Sequence, residues 1–285
     1  MRSENEMLEQ IMNYAGHDEK VRAVYMNGSR ANPNVEKDKF RDFDIVFVVT
    51  EMGSFLEKKD WIKVFGDVAI VQEPDSSELG WGTDCDSSKG YTWLILFKDW
   101  NRLDLHLEII DEALKNYGSD TLTVPLLDKD GFLPSLPPPS EKGYYIQKPS
   151  KERYRGCCNE FWWCLNNVAK GIKREQLPYA MWMLNTPVRY MLGDMLDWYI
   201  GTHYDFAVTT GMMGKYYKKY LPEHLCSLLK RTYCDGNYES LWRSVFVMTE
   251  LFGIIAPEVG KFLGFEYNES EEENVLEYLR FMKNQ

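Results

Sequence analysis

Residues 26–49 read MNGSRANPNVEKDKFRDFDIVFVV and set two aspartates, Asp42 and Asp44, at the mouth of an apolar run. In a strand alternate side chains share a face, so Asp42, Asp44, Val46 and Val48 point one way and Phe43, Ile45, Phe47 and Val49 the other. Both faces are apolar, which predicts an interior strand with its carboxylates gathered at one end. Two carboxylates roughly 4–6 Å apart repel by several kcal/mol at an effective dielectric near 20. Protonation or a cation has to neutralise them. A hard divalent cation with oxygen ligands, Mg²⁺ most naturally, suits two aspartates better than a histidine-based site would.

Upstream, the apolar residues 21–26 end at Asn27-Gly28, a strand running into a turn. Glycine there lets the backbone approach an anion closely, and the amides and hydroxyl of Gly28-Ser29 can hold phosphate oxygens. Alone, a Gly-Ser pair is an ordinary turn, and no GxxxxGK[ST] follows it. A third acid lies in RLDLHLEI, residues 102–109, where Leu103, Leu105, Leu107 and Ile109 mark a core face and Asp104, His106 and Glu108 the other. By itself that is plain amphipathic alternation with Asp104 exposed. Beside the 43–49 strand, Asp104 completes the cluster, as a metal ligand or as the base that takes a proton from an attacking hydroxyl.

The remaining chain predicts an α+β protein in two parts, a mixed sheet flanked by helices over 1–145 and a helical domain over 146–285. Ser3 and Glu6 form a capping box ahead of the helical stripe Met7, Leu8, Ile11, Met12 and Ala15. Residues 68–71 predict a strand, and 91–97 with 103–110 a hairpin turning at 98–101, after a polar loop over 80–90. Six prolines between 125 and 149 predict a surface linker. Beyond it come helical stripes: Tyr154, Cys157, Phe161, Leu165 and Val168; a helix over 177–200 kinked at Pro187; one over 238–255; and a last helix capped by Ser270 with Glu273.

The 285 residues are 44% hydrophobic and 14% aromatic, enough for a sizeable core. No apolar run is long enough to span a bilayer, which predicts no membrane partner. The charged start MRSENEMLEQ is not a signal peptide, and six cysteines without a CxxC pair read as reduced thiols in cytoplasm. Residues 148–285 balance 17 acids against 17 bases, so the first half, with 27 acids and 16 bases, carries the entire net charge of −11. Such a surface repels a polyphosphate chain, which argues against nucleic acid as partner, and attracts small cations. Solubility accounts for the same charge equally well.

Strand, Gly-Ser turn, loop, DxD strand and a later acid: this order resembles the nucleotidyltransferase superfamily that includes polymerase β. Further, MRSENEM at the start, GSRAN at 28–32, FRDFDI at 40–45, LLDKD at 126–130, QKPS at 147–150 and CCNEFWW at 157–163 make the chain similar to aminoglycoside 6-adenylyltransferases, bacterial enzymes that modify streptomycin. The resemblance implies an N-terminal nucleotidyltransferase domain using ATP and an aminoglycoside, with Mg²⁺ held by Asp42, Asp44 and Asp104. It also implies phosphate contacts from Gly28 and Ser29, with Arg30 and Lys148 steadying the triphosphate. Two stretches depart from the family pattern: Arg155-Gly156 stands where an acidic pair is expected, and Met181-Trp182-Met183 where Ile-Asp-His is. Both bear on the choice of acceptor.

Glu160, in the CCNEFWW helix, reads equally as a contact to cationic groups of the acceptor or as a paired interface acid. Trp162, Trp163 and Trp182 can stack on a ligand, though aromatics at helical spacing are more often core. Residues 215–219 read as a solvated basic helix face.

Overall fold

The computed structural model describes residues 1–80 and 85–285. Their contacts divide them into two compact units, Met1–Gly143 and Tyr144–Gln285.

In the first unit α1 (Glu4–His17) starts at the Ser3–Glu6 capping box: the Ser3 hydroxyl accepts from the Glu6 amide while the Glu6 carboxylate accepts from the Ser3 amide. Its Met7, Ile11 and Ala15 are buried, as their spacing requires. β1 (Val21–Asn27) turns at Gly28 into the one-turn helix α2 (Gly28–Ala31), and β2 (Phe43–Val49) follows the loop. Then come α3 (Gly53–Glu57), a 3-10 segment over Lys59–Phe65, and β3 (Val68–Gln72). β4 (Gly90–Phe97) and β5 (Arg102–Ile109) form the expected hairpin, closed by Trp100 with φ 68°. Of the loop expected over 80–90, residues 81–84 lie outside the described residues, and β4 already begins at Gly90. α4 (Ile110–Asn116) takes over where β5 was expected to run on.

β6 (Val124–Asp128) corrects the sequence reading, which put this stretch in a linker. Pro125 masks it as a strand, yet proline is tolerated on a sheet edge, and β6 is the edge strand beside β1. The six strands among the described residues run in the order β3-β4-β5-β2-β1-β6. Only β2 and β5 pair in parallel; the other pairs are antiparallel. β2 is therefore interior, and both its faces are covered. Phe43, Ile45, Phe47 and Val49 pack with Met7, Ile11 and Phe65, while Val46 and Val48 pack with Tyr25, Ala113 and Tyr117. The parallel pairing brings the starts of β2 and β5 to the same end of the sheet.

In the second unit α5 (Lys151–Lys173) is capped by Ser150, and all five residues of the expected stripe are fully buried. α6 (Leu177–Met183) passes through a π-turn over Leu184–Val188, containing Pro187, into α7 (Arg189–His203). The widened turn accommodates the proline without ending the helical course. α8 (Tyr217–Tyr220) and α9 (Glu223–Arg231) precede α10 (Tyr238–Leu263). α10 runs through Pro257 and past the expected end at 255, stopping at left-handed Gly264. α11 (Glu269–Asn284) is capped by Asn268 rather than Ser270, the Asn268 side chain accepting from the Glu271 amide. No helix among the described residues is long and apolar enough to cross a membrane.

Candidate active site

Asp44 and Asp104 are direct partners in the β2–β5 ladder, Asp44 opposite Asp104 just as Phe43 is opposite Leu103. In a parallel pair such partners point to the same face, so both carboxylates project together at the strand starts, with Asp42 one residue before β2. All three are partly buried. Burial first, then the charges of Asp104 and Asp42, push the Asp44 carboxyl up to about 6, against the pull of Arg102 and Arg30. Burial and the two acidic neighbours thus disfavour the ionised form of Asp44.

Gly28 fits tightly on the far side of Asp44. β1 pairs Asn27 with Asp44, and the chain then turns through Gly28 at φ +73°. A Cβ built there would overlap the Asp44 carboxylate, so glycine is required both for the turn and for space. Ser29, partly buried, begins the single turn of helix that follows. The Gly-Ser turn thus abuts the Asp44 carboxylate.

Arg30, expected to steady the triphosphate, has its side chain engaged within the protein. Its side chain is buried, its guanidinium sits 3.6 Å from the Phe43 ring centroid, and it pairs with Glu4 at 2.9 Å. Its Nε and Nη2 donate to the carbonyls of Asp42 and Arg41 at 3.0 and 2.7 Å. Arg30 thereby fixes the backbone that presents Asp42. Arg41 is buried alongside, donating to the Ser29 carbonyl, and so ties the Gly-Ser turn to the DxD loop.

The residue that the sequence reading passed over is Arg102. Its Nε and Nη2 donate to the two oxygens of Asp104, both at 2.7 Å, and its Nη1 lies 3.5 Å from Asp42. The signal was present, because Arg102 is two residues before Asp104 and shares its face. As the side chains stand, no three His, Cys, Asp or Glu residues among those described form a metal-holding group. The donor set nonetheless suits Mg²⁺: hard oxygen ligands, one of them disfavoured as an anion by burial and by its acidic neighbours. Farther along β5, Glu108 is buried and accepts from the Tyr25 hydroxyl and from Asn116 Nδ2, while His106 meets the Thr92 hydroxyl. Burial lowers the His106 pKa and both residues serve the sheet.

The expected acceptor contacts lie in the second unit, and so does Lys148, expected at the triphosphate. Lys148 and Glu160 are exposed, Glu160 accepting from the Cys164 thiol. Trp162 is a correction: it is 1% exposed, packs on Phe161 and Phe252, and donates its indole N–H to Tyr267. Its helical spacing makes it core. Trp163 and Trp182 are the exposed members of that set. The departing residues Arg155 and Gly156 line a cavity of about 930 Å³ between α5 and the start of α11, facing Glu266, Glu269 and Glu271.

The sequence profile of a family described as streptomycin adenylyltransferase matches residues 1–282. An aminoglycoside 6-adenylyltransferase of Campylobacter jejuni is 37% identical over 270 residues, 94% of this chain and 91% of that one. The Bacillus subtilis enzyme of the same name is 34% identical over 95% of both chains. The Staphylococcus aureus one is 31% identical over 98% of both. The crystal structure of an aminoglycoside 6-adenyltransferase from Bacillus subtilis aligns over 100% of both chains at 30% identity, with a TM-score of 0.49. With the profile spanning nearly every residue and three relatives matched over almost their full lengths, the chain belongs to the streptomycin adenylyltransferase family, a family of adenylyltransferase enzymes.

Proposed function

We propose that the protein transfers AMP from ATP to a hydroxyl of an aminoglycoside, the 6-position of a streptomycin-like drug, and releases pyrophosphate. The observation that carries this reading is the in-register pairing of Asp44 with Asp104 beside the Gly28 turn. Asp42, Asp44 and Asp104 are the residues that would hold Mg²⁺, which when bound neutralises charge building on the phosphates. Gly28 and Ser29 present amides and a hydroxyl to the triphosphate, braced from behind by Arg30 and Arg41. Asp104 accepts the proton of the attacking hydroxyl. The acceptor oxygen then bonds to the α-phosphorus as the bond to the bridging oxygen breaks, and pyrophosphate departs. Placing Lys148 at the triphosphate and Glu160 at the drug's cationic groups rests on the family likeness.

A second acceptor class is favoured by one feature. Arg155-Gly156 replaces an expected acidic pair, which suits an acceptor with fewer positive charges than streptomycin, such as another small molecule or a protein. A single assay separates the two: pyrophosphate release from Mg-ATP over an aminoglycoside panel, with the product's mass measured. Release with a streptomycin-like drug and a gain of one AMP supports the first reading. Silence across the panel overturns it.

A further inference from the structure

Arg102 has an unusual position for a cation at a carboxylate cluster. It makes a two-pronged contact with Asp104, reaches Asp42, and gains favourable charge interaction from Asp44 as well. It thus touches or senses all three acids proposed to hold the ion. Yet the side chain is 45% exposed, whereas that of Asp104 is 20% exposed. Among the described residues, its side-chain hydrogen bonds and ion pairs are with these aspartates alone. A guanidinium this solvated can be displaced at a cost of about tenfold in affinity, and its fork geometry matches phosphate as well as carboxylate.

We propose that Arg102 is a positioning residue that stands in for the metal ion, holding Asp104 and Asp42 until Mg²⁺ displaces it. This rests on the function proposed above. With the fork in place, Asp104 has both oxygens engaged, and the three carboxylates cannot converge on one ion. Mg²⁺ alone therefore binds weakly. When the ion comes with a nucleotide, the polyphosphate offers the released guanidinium a new partner, so that metal capture is tied to nucleotide arrival. The exchange also keeps the resting cluster from paying the full cost of three unpaired negative charges.

The test is Mg²⁺ affinity without nucleotide, measured by isothermal titration calorimetry on wild type, Arg102→Met and Arg102→Lys. Methionine keeps the stem and removes the fork and charge; lysine keeps the charge and removes the fork. R102M is expected to bind Mg²⁺ about tenfold tighter than wild type, the worth of a two-pronged charged contact. R102K is expected to bind a few-fold tighter. Equal affinity in all three proteins overturns the role of Arg102 while leaving the enzyme reading intact. Tightening in R102M with R102K equal to wild type overturns it too, since net charge alone then explains the change. If no protein takes up Mg²⁺, with or without ATP, the stand-in role and the Mg-dependent reading fall together.

Discussion

Asp44 is the residue at which stability and proposed activity pull against each other. Its carboxyl is raised to about 6 by burial and by Asp104 and Asp42, above its unfolded value. The folded state therefore binds a proton more readily than the unfolded state. Stability from this group is greatest below the unfolded value and falls as pH rises through about 6. Asp44→Asn should stabilise the protein by about 2 kcal/mol at pH 8 and leave it unchanged near pH 3.5, read by urea denaturation at both. The same variant should lose about a thousandfold or more in pyrophosphate release, and its Tm should gain less from Mg-ATP than that of wild type. A destabilised D44N at pH 8 would contradict the electrostatic account. Gly28→Ala tests the neighbouring turn. A Cβ at φ +73°, overlapping the Asp44 carboxylate, should cost about 1–3 kcal/mol and lower turnover further than the loss of folded protein explains. Activity equal to wild type, at normal expression, would remove the close approach from the argument.

Among the elements, those with local signals were legible and those set by distant partners were not. The Ser3–Glu6 box, the stripe on α5 and the alternation on β2 each declare themselves within a few residues. β6 does not, because its strand character comes from pairing with β1, and Pro125 speaks against it locally. α10 overrides Pro257 because its flanks are buried against the core on both sides of the proline. The candidate site divides the same way. The three aspartates were visible from spacing and family likeness, and their meeting required the β2–β5 pairing. Arg102 was hidden because an arginine ahead of an acid looks like surface alternation until the strands are assembled. Trp162 shows the converse, an eye-catching residue that packing explains. Trp162→Phe should cost about 1–2 kcal/mol in chemical denaturation, for the lost indole hydrogen bond and ring volume, and leave the KM for the acceptor within about twofold. A large rise in KM without loss of stability would return Trp162 to the binding surface.

At the scale of the whole molecule, charge is divided as sharply as structure. Tyr144–Gln285 is electrically balanced and Met1–Gly143 carries the full −11. Under the function proposed above, the acidic first unit would draw a polycationic acceptor toward it and repel nucleic acid. Raising NaCl from about 20 to 200 mM should therefore raise the acceptor KM by roughly several-fold, through screening beyond the Debye length. Steady-state kinetics across that range would show it, and a KM indifferent to salt would mean that the field plays no part in capture. The parallel join between β2 and β5 has a consequence of another kind. Asp44 and Asp104 lie about sixty residues apart in the chain, with the β3–β4 arm threaded between them, so their meeting closes a long loop. Contacts of that separation are slow to form. During refolding, enzymatic competence should return only with the slowest conformational phase, after most helical signal has recovered, and a growing polypeptide stays inert until β5 has been made and slotted home.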